Sequence, residues 1–127
     1  MTFIYGIIDI DNFSFYNLNN SFESGNRLLN NAEDLITEQL QPHKWRRLDG
    51  DEFLFVILGT FECNKLMLTE LMCNIQKKLT ITLSLGLLES EITYDFEEII
   101  HRLKHNLLIA KNNGKNKICI DYEVRTD

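Results

Sequence analysis

An α/β sandwich, a sheet with antiparallel pairs covered by amphipathic helices, is the fold this sequence predicts. Three observations point to it. Strand-like and helix-like runs alternate along the chain. The extended runs Trp45–Leu48 and Glu52–Leu58 are separated only by Asp49, Gly50 and Asp51. Finally, 44% of the 127 residues are hydrophobic, enough to bury one core and not two. Residues 1–127 are therefore expected to form a single domain, nearly bare at both ends, without linker, internal repeat or low-complexity tract.

Each element follows from periodicity. Thr2–Asp9 is rich in isoleucine and aromatic residues and ends in acids, as a central strand does when it delivers side chains at its C-terminal end. Asn12–Asn26 mixes asparagines, serines and a glycine with aromatics, which predicts a loop or a short irregular helix. Leu28, Ala32, Leu35, Ile36 and Leu40 recur at helical spacing, and Pro42 sets the latest end of that helix. In the hairpin, Gly50 can take a positive φ and Asp49 can bond its own backbone. Leu66, Leu68, Leu71, Met72 and Ile75 form the stripe of a second helix, with Asn64 as its expected cap. Leu79–Leu88 alternates hydroxyl and apolar side chains, with Gly86 near its exit, and predicts a strand. Tyr94–Asn112 predicts a long helix that buries Phe96, Ile99, Ile100, Leu103 and Leu107 and stops at Asn113-Gly114. Lys117–Val124 supplies the last strand. Five strands and three helices in this order make a ferredoxin-like arrangement, a mixed, largely antiparallel central sheet packed by helices.

Composition excludes several function classes. Nineteen acidic against thirteen basic residues give a formal charge of −6, which opposes binding to a DNA or RNA polymer or to an anionic membrane. The basic cluster from Lys44 to Arg47 is too short to reverse that. FIYGIIDI is only eight residues long and lacks a basic flank, so it is neither a signal peptide nor a spanning segment. Cys63, Cys73 and Cys119 form no paired motif; they read as free core or near-core thiols and favour a cytoplasmic location. His101 and His105 have a chelating spacing but no third ligand, so surface histidines are expected there. Trp45, Phe55 and Tyr122 read as sheet packing.

The chemistry concentrates in two acidic clusters, Asp9-Ile10-Asp11 and Asp49-Gly50-Asp51-Glu52. If their strands are neighbours, Asp9 and Asp51 can share a hard divalent cation of the kind that accompanies a triphosphate. Lys111, in the last turn of the long helix, and Lys115, just past its end, carry the charge to face a polyphosphate. Taken singly, each feature also fits a solvated turn or a lysine favoured at a helix C-terminus.

Together these residues resemble the GGDEF family, the diguanylate cyclases. DIDNFSFYN is similar to that family's first-strand motif and RRLDGDEFLFVI to its hairpin. LTITLSLGLL is similar to the strand that follows, and IAKNNGKNKICI to the closing segment. The likeness spans roughly residues 3–121 and implies a palm domain that condenses two nucleoside triphosphates into a cyclic dinucleotide with release of pyrophosphate. It implies Mg²⁺ or Mn²⁺ held by Asp9, the Ile10 carbonyl and Asp51, with Glu52 assisting deprotonation of the attacking hydroxyl. Asn17 matches a guanine-contacting asparagine, and Lys111 a phosphate-binding lysine. Lys115 stands where a phosphate-binding arginine is usual, and Arg47 sits where an arginine supports the turn. Because each family site holds one nucleotide, activity implies a homodimer, which can be transient.

The chain also departs from that pattern. Asp49 replaces a glycine, and Ser14 stands where a phosphate-contacting lysine is common. Asn26 occupies the position of a guanine-contacting aspartate; an amide both donates and accepts, which opens ATP or mixed use beside GTP. The inhibitory Arg-x-x-Asp motif is absent from Leu40-Gln41-Pro42-His43, so product feedback through it is not expected. The leading helix before the first strand and any sensor domain are not seen either. These departures keep a second expectation open, an inactive nucleotide-binding or regulatory module. A wider kinship reaches palm domains that make cyclic oligonucleotides in CRISPR-associated and other antiviral signalling.

Overall fold

Alternation along the strands decides the architecture. In β1 (Phe3–Ile10), Ile4, Ile8 and Ile10 enter one buried cluster, while Tyr5 and Ile7 enter another. In β3 (Glu52–Leu58), Phe53, Phe55 and Ile57 join the first cluster, and Leu54 and Val56 the second. A strand with period-2 side chains is apolar on both faces only when both faces are covered.

The computed structural model describes residues 1–48 and 50–123. Besides β1 and β3 it has β2 (Lys44–Arg47), β4 (Leu83–Ser90) and β5 (Ile118–Tyr122), in the sheet order β2-β3-β1-β4-β5. β1 runs antiparallel to β3 and β4, and β2 antiparallel to β3; β5 runs parallel to β4. The helices are α1 (Phe13–Asn19), α2 (Phe22–Leu40), α3 (Phe61–Leu79) and α4 (Phe96–Asn112). Leu28, Ala32 and Ile36 of α2 and Leu68, Leu71 and Ile75 of α3 fill the first cluster. Ile99, Leu103 and Leu107 of α4 fill the second, because the crossover from β4 to its parallel neighbour β5 carries α4 over the opposite face. The result is the expected α/β, ferredoxin-like fold, with β1 at its centre.

The element ends correct several expectations. The asparagine-rich stretch contains α1 and the start of α2, where Ser21 Oγ accepts from the Ser24 N–H at 3.1 Å. There are thus four helices among the described residues, not three. Thr60, not Asn64, caps α3, its Oγ1 accepting from Cys63 N–H at 3.2 Å. Asn64 instead reaches back to the carbonyls of Leu58 and Thr60. α3 continues to Leu79 and closes on Thr80 in the left-handed conformation, so β4 begins at Leu83 rather than Leu79. α4 starts at Phe96, and Val124, assigned to the last strand, lies outside the described residues.

Three side-chain expectations also change. Cys63 and Cys73 are exposed because they fall off the inward stripe of α3, and Cys119 is half-buried on an edge strand. Tyr122, at the end of that edge strand, is largely exposed instead of packed. Trp45 and Phe55 do pack, with Trp45 stacked on Phe53 at a ring distance of 5.3 Å. Among the described residues, no helix is long and apolar enough to cross a membrane.

Candidate active site

The register of β1 sets Asp9 opposite Glu52 on β3 and Ser84 on β4. Asp9 follows Tyr5 and Ile7 in alternation, so its carboxylate points to the α4 face, where it is 5% exposed. Lys111, in the last turn of α4, donates from Nζ to Asp9 Oδ2. Its reach depends on a close approach two turns earlier. A Cβ on Gly86 would lie 2.4 Å from the Leu103 carbonyl oxygen and 2.5 Å from the Leu107 nitrogen. Buried Asn106 fixes the same contact, donating from Nδ2 to the Leu87 carbonyl at 2.9 Å.

The second acidic cluster meets the first. Gly50 takes φ +79 in the hairpin turn, and the Asp51 carbonyl accepts from the Ile10 N–H at 3.4 Å. The Asp51 carboxyl is pushed up to about 7, first by burial and then by hydrogen bonding with, and repulsion from, Asp9. Partial burial works against the charge on Lys111, but its hydrogen bond to Asp9 and the charges of Asp9, Asp51 and Asp11 raise it above the ordinary lysine value. Asp9 Oδ1 is buried without a hydrogen-bond partner. Two crowded carboxylates, one with a buried unpartnered oxygen, form a donor set that fits a hard divalent cation. Among the described residues no group of three or more His, Cys, Asp or Glu is gathered for a metal. Two carboxylates suit Mg²⁺, which keeps waters and takes substrate phosphates as its other ligands.

The other predicted residues divide between two places. Glu52 lies near Lys104, with Oε1 and Nζ 3.8 Å apart. Lys115, left-handed at φ +62, sits at the same end of the sheet, where its Nζ donates to Asn12 Oδ1 at 2.6 Å. On the α1–α2 side, a cleft of about 520 Å³ is lined by Phe13, Asn17, Gly25, Asn26, Arg47 and Gly50 among others. Asn17 lies over Gly25, where an added Cβ would be 2.2 Å from Oδ1. Arg47 is tethered to α2 through Asn30 at 3.3 Å and Glu33 at 3.6 Å, and its guanidinium lies 5.8 Å from the Phe53 ring centre. These contacts join β2 to α2 and to the β3 ring beside it. Asp49 lies outside the described residues.

Sequence reasoning gave no task to Asp11, yet its carboxylate is buried and fully used. It accepts from Ser84 Oγ at 2.6 Å, Thr82 Oγ1 at 2.7 Å and the Asn116 N–H at 2.9 Å. It thereby ties the end of β1 to β4 and to the loop that carries Lys115. The signal for it was an acid two residues beyond Asp9, which strand alternation puts on the same face as Asp9. Gly25 was missed as well: composition predicts a loop or short irregular helix there, whereas it lies inside α2, where the lack of a Cβ admits Asn17. His101 and His105 are exposed and share a shallow depression with Arg102 and Asp121.

The comparisons with known proteins agree with this fold. The family model described as "Diguanylate cyclase, GGDEF domain" matches residues 2–117. The GGDEF domain of DgcB from Caulobacter crescentus, in complex with c-di-GMP, matches with a TM-score of 0.81 and 20% identity over 94% of this chain and 77% of that one. The active GGEEF domain of a diguanylate cyclase from Vibrio cholerae gives 0.75 and 25% over 98% and 85%. Diguanylate cyclase SiaD from Pseudomonas aeruginosa, in complex with its activator SiaC, gives 0.82 and 22% over 94% of this chain and 50% of that one. These neighbours share the mixed sheet and its helices. With the family model spanning most of its length, the chain belongs to the GGDEF family.

Proposed function

We propose that the protein condenses two nucleoside triphosphates, GTP in preference, into a cyclic dinucleotide with release of pyrophosphate. One observation carries this reading: the Asp9 and Asp51 carboxylates meet at the end of the central strand, and one buried Asp9 oxygen there has no hydrogen-bond partner. Asp9, Asp51 and the Ile10 carbonyl would hold Mg²⁺ or Mn²⁺, which supplies charge neutralisation for the triphosphate and acidifies the attacking 3'-hydroxyl. The 3'-oxygen attacks the α-phosphorus of the opposing nucleotide; one P–O bond forms and the bond to the β-phosphate breaks. Glu52 accepts the hydroxyl proton, and Lys111 and Lys115 offset the charge that moves onto the leaving pyrophosphate. Asn17 and Asn26 hold the base in the α1–α2 cleft, and Asn26, as an amide, admits adenine beside guanine. Since the cleft accommodates one nucleotide, two copies meet to complete the ring. Each copy would contribute one such domain, residues 1–127.

Ser14 and Asn26 favour a second reading, nucleotide binding without turnover, because the pocket lacks one positive group and one carboxylate of the family pattern. Pyrophosphate release separates the two. The first reading expects Mg²⁺-dependent pyrophosphate from GTP that disappears in Asp9→Asn. Metal-dependent GTP binding with no pyrophosphate would support the second and contradict the first.

A further inference from the structure

We infer that Lys111 is a latch on the carboxylate pair: its ammonium sits on one oxygen of the Asp9 carboxylate, beside the unpartnered oxygen open to a divalent cation, and so opposes metal binding until a nucleotide draws it away. This rests on the metal-dependent reading above and deepens it. The ammonium donates to Asp9 Oδ2, while Asp9 Oδ1 has no partner. The Asp9 side chain is 7% exposed and that of Lys111 29%, so solvent screens the contact only in part.

An ammonium on Oδ2 and a divalent cation on Oδ1 of the same carboxylate repel each other at close range. At about 4 Å, with an effective dielectric near 20, their repulsion is roughly twice that of two unit charges. The metal therefore binds more tightly once the ammonium has moved off. A triphosphate gives it somewhere to go, because the phosphate oxygens place negative charge between the two cations. The backbone of α4 stays put, pinned by the Gly86 approach and the Asn106 hydrogen bond. Only the four-carbon lysine stem has to swing. Two other lysines near the site lack this contact: Lys104 pairs with Glu52, and Lys115 with Asn12.

Direct Mn²⁺ binding, read from the electron-spin signal of free Mn²⁺, tests the latch with and without a non-hydrolysable GTP analogue. Wild type should bind Mn²⁺ weakly alone and about tenfold more tightly with the analogue. Lys111→Gln should bind Mn²⁺ alone roughly tenfold more tightly than wild type and gain little from the analogue. Lys111→Arg keeps a cation on Asp9 and should stay as weak as wild type. Lys104→Gln, an equal change of charge nearby, should stay within about twofold of wild type. The latch is overturned if Lys111→Gln is no tighter than wild type, if Lys111→Arg behaves like Lys111→Gln, or if Lys104→Gln tightens as much. Asp9→Asn separates the two levels. If wild type with the analogue binds no Mn²⁺ that Asp9→Asn loses, the metal reading fails and takes the latch with it. If that binding is present and the lysine variants disagree, only the latch fails.

Discussion

Asp51 carries a conflict between stability and chemistry. Its carboxyl titrates near 7 in the fold against 3.8 as its ordinary value, so the folded state binds the proton more tightly than the unfolded chain. The stability this contributes is fully present below about pH 3.8 and is lost as pH rises through 7. Asp51→Asn removes the charge that burial and Asp9 oppose. The metal-free variant should therefore melt above wild type at pH 8, by on the order of 1 kcal/mol after solvent screening, with the gap closing towards pH 5. Thermal melts across that range check it, and a gap that widened on acidification would contradict the assignment. Gly25 makes a separate prediction. Gly25→Ala would push the Asn17 amide out of the cleft, since only the far end of a side chain stands in the way. Helix propensity favours the alanine by about 1 kcal/mol, so the melting temperature should hold or rise. Nucleotide affinity should fall roughly tenfold, as measured by calorimetric titration, for the loss of one polar contact.

At the level of elements, two devices set the site. The first is the approach of α4 to β4 across Gly86, where backbone atoms, not a movable side-chain end, would meet a new Cβ. Gly86→Ala should cost about 3 kcal/mol or more in chemical denaturation, because the helix must lift and carry Lys111 away from Asp9. The second is the Asp11 clamp. Asp11→Ala would leave the buried Ser84 hydroxyl and the Asn116 N–H without their acceptor, a loss of about 3 kcal/mol by the same measurement. Much of this scaffold was legible in sequence. Period-2 alternation in β1 and β3 and the helical stripe of α4 depend on which faces are buried, and a pattern of apolar residues records that directly. The asparagine-rich stretch misled because its composition favours turns, whereas Phe13 and Gly25 are buried against their neighbours and hold the segment helical. The extension of α3 to Leu79 was hidden for a related reason: Thr80–Thr82 continues the hydroxyl alternation of β4 although Thr80 is the helix cap.

For the whole molecule, the sheet order brings two acidic segments that lie forty residues apart to one end of the central strands, and the α4 crossover adds a lysine from a third. The pairing of Asp9 and Asp51 was legible because each follows or precedes an apolar strand. The work of Asp11 and the contact between Lys111 and Asp9 were not, since both depend on how closely α4 and its following loop approach the sheet. The charge pattern follows the same logic: a chain of net −6 collects cations where a triphosphate would lie. The central claim is that this end of the molecule joins two nucleotides. Its most direct measurement is mass spectrometry of products after incubating the protein at high concentration with GTP, ATP or both in Mg²⁺ or Mn²⁺, with Asp51→Asn alongside. The account predicts a cyclic dinucleotide from the wild type and none from the variant. Folded wild type that leaves every nucleotide unconsumed, or an Asp51→Asn variant that makes as much product, would contradict it.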